Sequence, residues 1–470
     1  MKKICLTMFA LLFAGSLAYA SLSRINGMGL ANWMLDDDAN IWMSPAYIND
    51  YPNRVWGQFG NGGNGAAGEE LVGSQYGGAS LNLLWGLAGN VGLFAGRPYP
   101  GNIATIGANA PGSDVTVIPA NQGIVVGYAG TSPGLSLQAL VPTNNVDAFY
   151  GLGLGSLLKL GVRGSIAFAN SNYSSSRERT PKQNNDGTLT GVRTSYDINI
   201  GAGVTIGQLG PIPQMDVYGN VGLPLVTSTF SERALIAASD KYKTADMSLT
   251  NPGAFTLLAG ARLKLTLWSL KFIVNGNYGY NNLVSLYTDK RDTGTLNVNL
   301  TQDRANVSHI VNTGIALNQQ IGAKTLLVLG AGVGYTVTND NGLETDPLVP
   351  ASVKDEYKWS QTILSIPLNI GIEHQLPLWG LIGRAGARFT YTMTTTGVDN
   401  PTYDAAGTVV DQRISSTPVD AIASVITLGL GKQITDTLSA DLVMRQCTAA
   451  QLSEGLLGSL TTQMSLVYKF

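Results

Sequence analysis

Beyond residue 20 the chain has no run of about 18 apolar residues, the length a helix needs to span a hydrocarbon core. Membrane-spanning helices are therefore excluded there. Cysteine is nearly absent, with only Cys5 and Cys447. Cys5 lies in the first twenty residues, so no intrachain disulfide framework can support the remaining chain. Charged residues make up 13% of the sequence, about half the share usual in a soluble domain. There is no basic stripe, and a nucleic-acid partner is not expected. Histidine is limited to His309 and His374. Hydrolases usually pair a nucleophile with a histidine base, and no serine or aspartate stands near either histidine in a recognisable motif. Cys447 has no metal-ligating neighbours. Neither enzyme activity, nor a metal, nor a cofactor is expected.

What is present begins with an export pattern. Lys2 and Lys3 precede an apolar stretch from Ile4 to Phe13 and a small-x-small site at Ala18-Tyr19-Ala20. Residues 1–20 read as a cleaved secretory signal peptide. Glycine is abundant, at 57 residues. An exported, glycine-rich, weakly charged chain without spanning helices leaves two choices: a soluble all-β protein or a β-barrel in the outer membrane.

Alternation decides between them. Phe255, Leu257, Ala259, Ala261, Leu263, Leu265 and Leu267 share one strand face, while Thr256, Gly260, Arg262, Lys264 and Thr266 share the other, with Leu258 the exception. Residues 197–207, 364–373 and 379–391 repeat the pattern. These segments reach about ten residues, enough to cross a bilayer when tilted. Aromatics such as Trp268, Tyr278, Tyr280, Trp379 and Tyr391 sit near segment ends, as interfacial girdles do. Short turns near residues 267–268, 322–323, 377–378 and 434–435 alternate with polar stretches at roughly 173–191, 229–249, 287–304, 340–358 and 397–417, read as long loops. The run Asn339-Asp340-Asn341-Gly342 reads as an exposed turn rather than a calcium loop. The expected fold is all-β: a transmembrane antiparallel barrel of about 14–16 strands over residues 54–470, with a small N-terminal luminal segment. Both termini on the periplasmic side require an even strand number.

With the apolar face toward lipid, Lys159, Arg163, Arg262, Lys264, Arg384 and Arg388 point into the lumen, together with Glu373 and Asp441. Lys271, Asp197, Asp216 and Arg445 join them. This mixture fits a structural ion network, or a mildly cationic path that attracts anions. At the end of the chain Met464, Leu466, Tyr468 and Phe470 share one face. That stretch resembles the terminal signal of outer-membrane proteins, which implies the barrel-assembly machinery as a partner and outer-membrane lipids as surroundings.

Residues 21–53 have another texture: Gly27-Met28-Gly29, then Asp36-Asp37-Asp38, then Ser44-Pro45-Ala46. They resemble the N-terminal segment of the FadL family of hydrophobic-compound transporters and of related PorV-type barrels. There a Gly-Met-Gly stretch precedes an acidic pair and an Asn-Pro-Ala; Ser44 stands here in place of that Asn. The resemblance implies a luminal hatch, an apolar ligand pocket toward the extracellular side, and an exit opened by hatch movement or a kink in the wall. Met28, Trp33 and Trp42 supply bulk for such a hatch, and Asp36, Asp37 and Asp38 are placed to pair with lumen cations. The function implied is passage of small hydrophobic or amphipathic compounds such as fatty acids. A general diffusion porin and a scaffold or shuttle in surface assembly are the competing readings.

Overall fold

The computed structural model describes residues 22–61, 76–83, 89–98, 140–142, 144–155, 157–177, 187–209, 212–236, 241–268, 270–292, 297–345, 355–399, 402–403, 409–410, 413–415, 418–448 and 462–470. The proposed signal peptide lies outside the described residues.

The wall is one antiparallel sheet closed on itself. Its strands are β1 (Arg54–Asn61), β2 (Tyr76–Leu83), β3 (Gly89–Pro98), β4 (Asn144–Leu154), β5 (Leu158–Arg177), β6 (Gly187–Leu209) and β7 (Ile212–Ile236). Strand β8 has two pieces, Lys241–Thr250 and Phe255–Leu267. Then come β9 (Leu270–Asp292), β10 (Asn297–Ile321), β11 (Thr325–Thr345), β12 (Asp355–Gln375) and β13 (Leu381–Asp399). Strand β14 also has two pieces, Arg413–Ser415 and Val419–Gln433, and β15 (Leu438–Thr448) and β16 (Thr462–Lys469) complete the wall. The described residues thus form sixteen wall strands. The last pairs with the first, from Arg54 opposite Lys469 to Asn61 opposite Thr462. Among the described residues the wall is left with no free edge, as a bilayer requires.

Outward positions explain why this surface suits lipid. On β6 they run Ile206, Val204, Ala202, Ile200, Ile198, Tyr196 and then switch to Thr194. On β12 they run Ile372, Ile370, Leu368, Ile366, Leu364 and then Thr362, Ser360. Ten residues at ~3.3 Å, tilted by ~40°, give an apolar belt about 25 Å tall. Met464, Leu466, Tyr468 and Phe470 belong to this outward face, whereas Gln463, Ser465 and Val467 are buried on the luminal side.

The stretches read as long loops are largely strand. β7 continues to Ile236, β9 to Asp292 and β11 to Thr345. Threonine and serine keep the alternation going above the belt, and threonine suits a pleated surface. Asn339–Gly342 therefore lies within β11, where Asp340 is buried against Arg304, rather than in a turn. His309 stands well inside β10. Its outward ring meets the Tyr278 hydroxyl at 2.9 Å.

The short turns fall where the pattern placed them. Two of them hold tryptophan in the left-handed backbone region, Trp268 at φ 56° and Trp379 at φ 52°, with exposures of 96% and 81%. Such a conformation strains a bulky residue. Both side chains stand outward at the rim, the level of an interfacial aromatic belt.

Candidate functional site

Residues Leu22–Asp50 enter the lumen and fill the half nearest the short turns. Helix α1 (Leu22–Gly27) is followed by three 3-10 turns, Asn32–Met34, Asp38–Trp42 and Pro45–Asp50. Asp37 starts the second turn by accepting from the Ala39 amide at 3.2 Å, and Asn40 Oδ1 accepts from the Asp37 amide at 2.5 Å. Pro45 opens the third turn, where a fixed φ and a missing N–H cost nothing. Ser44, just before it, offers no side-chain cap.

Glycines on the inner wall are sockets for this segment. A side chain at Gly386 of β13 would run into the Met28 carbonyl. One at Gly161 of β5 would run into the Pro45–Ala46 peptide, and one at Gly203 of β6 into the Ser44 hydroxyl. A Cβ on Gly314 would lie 2.6 Å from the Trp33 ring, and one on Gly330 2.7 Å from Met34. Gly29, at φ 61°, turns the chain away from the wall after Met28. Met28, Ser44 and Ala46 are wholly buried, and Pro45 is buried too. Trp42 stands edge-on to Phe94 and Phe149 at ring separations of 5.0 and 5.4 Å, with the Arg97 guanidinium 4.6 Å above its ring.

Ion pairs fasten the segment at three places. Arg24 donates from Nε to Glu373 at 2.8 Å. Glu373 also accepts from Arg384 at 2.7 Å, and Arg384 bonds Asp441 at 2.5 Å. Asp36 bridges Arg262 at 2.9 Å and Lys264 at 2.8 Å. Lys159 pairs with Asp50. Tyr47 ties these groups to the wall: its hydroxyl donates to Asp216 and accepts from Arg262, both at 2.7 Å.

The acidic triplet divides. Asp36 is the member ion-paired with the wall cations Arg262 and Lys264. Asp37 lies 3.6 Å from Arg24 of its own segment, and Asp38 accepts from the Trp56 indole at 2.8 Å. Burial pushes Asp38 up to about 6 against the bonds from Asp37 and Trp56. Burial, then the neighbouring Asp38 charge, holds Asp37 well above the usual carboxylate range. Burial also acts on Asp36, but Arg262 and Lys264 outweigh it and hold that carboxyl below its ordinary value. Arg163 pairs instead with Asp147 of β4 at 2.5 Å, and Arg388 occupies a luminal position of β13 four residues beyond Arg384. Arg24, Asp50 and Asp147 were not singled out in the sequence. Their partners are far off along the chain, and nothing local marks them.

Beyond the segment, the inner wall of β6 to β9 turns apolar. Phe230 of β7 lies opposite Gly191 and Met247, and Leu249 of β8 lies opposite Tyr287. Val226, Phe230, Met247, Leu249, Leu283 and Tyr287 are all buried. Beside this patch β8 is interrupted. Between the pairs Gly222–Thr256 and Thr227–Thr250 it is one residue longer than β7. Asn251 closes the gap with its side chain, donating to the Pro224 carbonyl at 2.6 Å and accepting from the Val226 amide at 2.5 Å.

No family model and no curated protein matches the chain. Solved structures with similar traces include the FrpB iron transporter from Neisseria meningitidis (10% identity, 97% of this chain and 86% of that one, TM-score 0.28). The ferric-catecholate import receptor Fiu from E. coli K12 is similar at 9% identity (88% and 74%, TM-score 0.32). The ferric yersiniabactin uptake receptor FyuA from Yersinia pestis stands at 8% (89% and 80%, TM-score 0.31). Scores this low carry nothing about cargo.

Proposed function

We propose that this chain is an outer-membrane transport barrel for small hydrophobic or amphipathic compounds, exported by residues 1–20 and gated by residues 21–53 as a hatch. The observation that carries the reading is the apolar patch from Val226 to Tyr287 on the inner wall, on the far side of the fixed segment. A diffusion porin keeps a polar, water-filled lumen; buried leucine, methionine and phenylalanine on an inner wall suit an alkyl chain. Fatty acids, which the N-terminal resemblance implies, belong to that class. Two exits are available to a ligand: displacement of the hatch, or parting of the wall where Asn251 substitutes for the backbone ladder.

Planar-bilayer conductance of the refolded barrel, with and without residues 21–53, tests the reading. The intact protein is expected to be silent and the deletion to conduct steadily. A steady conductance from the intact chain would favour a diffusion porin and end the hatch proposal.

A further inference from the structure

Above the apolar belt the outer face of β6 to β9 is not flat. A cavity of about 340 Å³ opens there, lined by two rows of side chains across four neighbouring strands. Thr190, Ser231, Asp246 and Lys290 are successive register partners in the upper row. Val192, Thr229, Ser248 and Thr288 are successive partners in the lower one. Alternation puts both rows on the lipid side: Thr229 and Ser231 continue the face of Val221, Leu223 and Leu225, all exposed. The cavity therefore lies outside the barrel, apart from the lumen and its segment. Thr229 follows the last belt residue of its strand, Leu225, by four positions. At ~3.3 Å per residue and a tilt of ~40°, that is about 10 Å above the belt. With the short turns on the periplasmic side, the cavity stands in the head-group layer of the outer leaflet.

The lining selects the head group. Five of these eight side chains are hydroxyls, each able to donate and accept. Ser231 donates to Asp246, and the Ser248 and Thr288 hydroxyls bond each other at 2.7 Å. All of them sit on strands, which hold polar groups more rigidly than loops do. One carboxylate and one ammonium line the cavity, so their formal charges cancel. A phosphate would gain Lys290 but lie against Asp246, charge facing like charge. A sugar can use both: its hydroxyls donate to Asp246, accept from Lys290 and exchange bonds with the serines and threonines.

We propose that this cavity binds the uncharged sugar portion of an outer-leaflet glycolipid, whose acyl chains lie against Tyr196, Leu223 and Leu225 of the belt. Its height calls for a head of more than one sugar ring, because a ring joined directly to the acyl chain stays beside the belt. The site is separate from the lumen and does not depend on the transport reading.

The test is native mass spectrometry of the refolded full barrel in tetraethylene glycol monooctyl ether, with dodecyl maltoside, dodecyl phosphate and free maltose as probes. Dodecyl maltoside is expected to bind about tenfold tighter than dodecyl phosphate, because a hydrogen-bonding site rejects a ligand without the matching hydroxyls. It should also outbind maltose, which has no tail to bury against the belt. Ser248→Leu fills the middle of the cavity and should erase the preference. Ser231→Leu is the second variant, and heat-modifiable migration on gels verifies that each folds. Thr362→Leu, at an outward position of β12, should leave binding unchanged. Dodecyl phosphate binding as tightly as the maltoside overturns the uncharged head. Maltose binding as tightly as dodecyl maltoside overturns the glycolipid source. A preference that survives in the folded variants overturns the site, as does a failure of dodecyl maltoside to bind.

Discussion

Arg24 of the luminal segment and Glu373 of the barrel wall are joined twice, from Nε at 2.8 Å and from Nη2 at 3.0 Å, although 349 residues separate them in sequence. Glu373 is also the acceptor for Arg384, so one carboxylate holds two guanidinium groups together. Glu373→Gln leaves the two cations facing each other with little exposure to water. Breaking such a pair costs about 3 kcal/mol, or roughly a hundredfold in the opening equilibrium. Hydrogen exchange across residues 22–50 should accelerate accordingly, and unchanged exchange would count against a fastening role for the network.

The glycine sockets make a steric prediction. At Gly386 a methyl group meets the Met28 backbone, which cannot swing aside as a side chain would. Gly386→Ala should still yield a folded barrel but displace the segment, giving conductance where the parent is silent. Gly153→Ala has nothing within 4 Å of the added carbon and is the matched control. Equal behaviour of the two variants would refute the socket.

The pH response follows from the acidic triplet. Asp37 and Asp38 favour the neutral form when docked, and Asp38 is pushed up to about 6. Stability from a raised carboxyl is complete below its unfolded value near 4 and disappears as pH climbs through 6. Asp36, held low by Arg262 and Lys264, acts in the opposite sense, losing its contribution as pH falls below about 4. Docking should thus be firmest at about pH 4–6. Brief conductance openings in planar bilayers should be rarer at pH 5 than at pH 7.5. Asp38→Asn should flatten the difference; a profile that is already flat in the parent contradicts the assignment.

Asn251 is the weak point of the wall. Asn251→Leu deletes two hydrogen bonds and strands the Val226 amide and the Pro224 carbonyl, at a cost of about 1–3 kcal/mol. Thermal unfolding should fall while exchange rises locally at Val226. If that amide stays protected, something other than the Asn251 side chain closes the gap.

Much of this molecule was legible in the residue order. Alternation along residues 255–267 and 364–373 fixed which side of each strand meets lipid, because side chains on a strand have period two. The same period places polar residues such as Arg262 and Glu373 in the lumen. The short turns were equally clear, since a change of direction interrupts the alternation. Strand lengths were not: Ser, Thr and Asn suit exposed turns and exposed ladders alike, and only pairing with a neighbour shows that β7 and β11 run on above the belt.

Composition and periodicity by themselves determined an apolar outside, a polar inside and a separate N-terminal piece. The tertiary structure alone decided what fills the inside. Arg24 reaches Glu373 and Met28 seats on Gly386 only when sixteen strands close around the segment in one register. Local sequence carries no record of that closure, because hydrogen-bond partners in a barrel are set by neighbouring strands and by the shear between them.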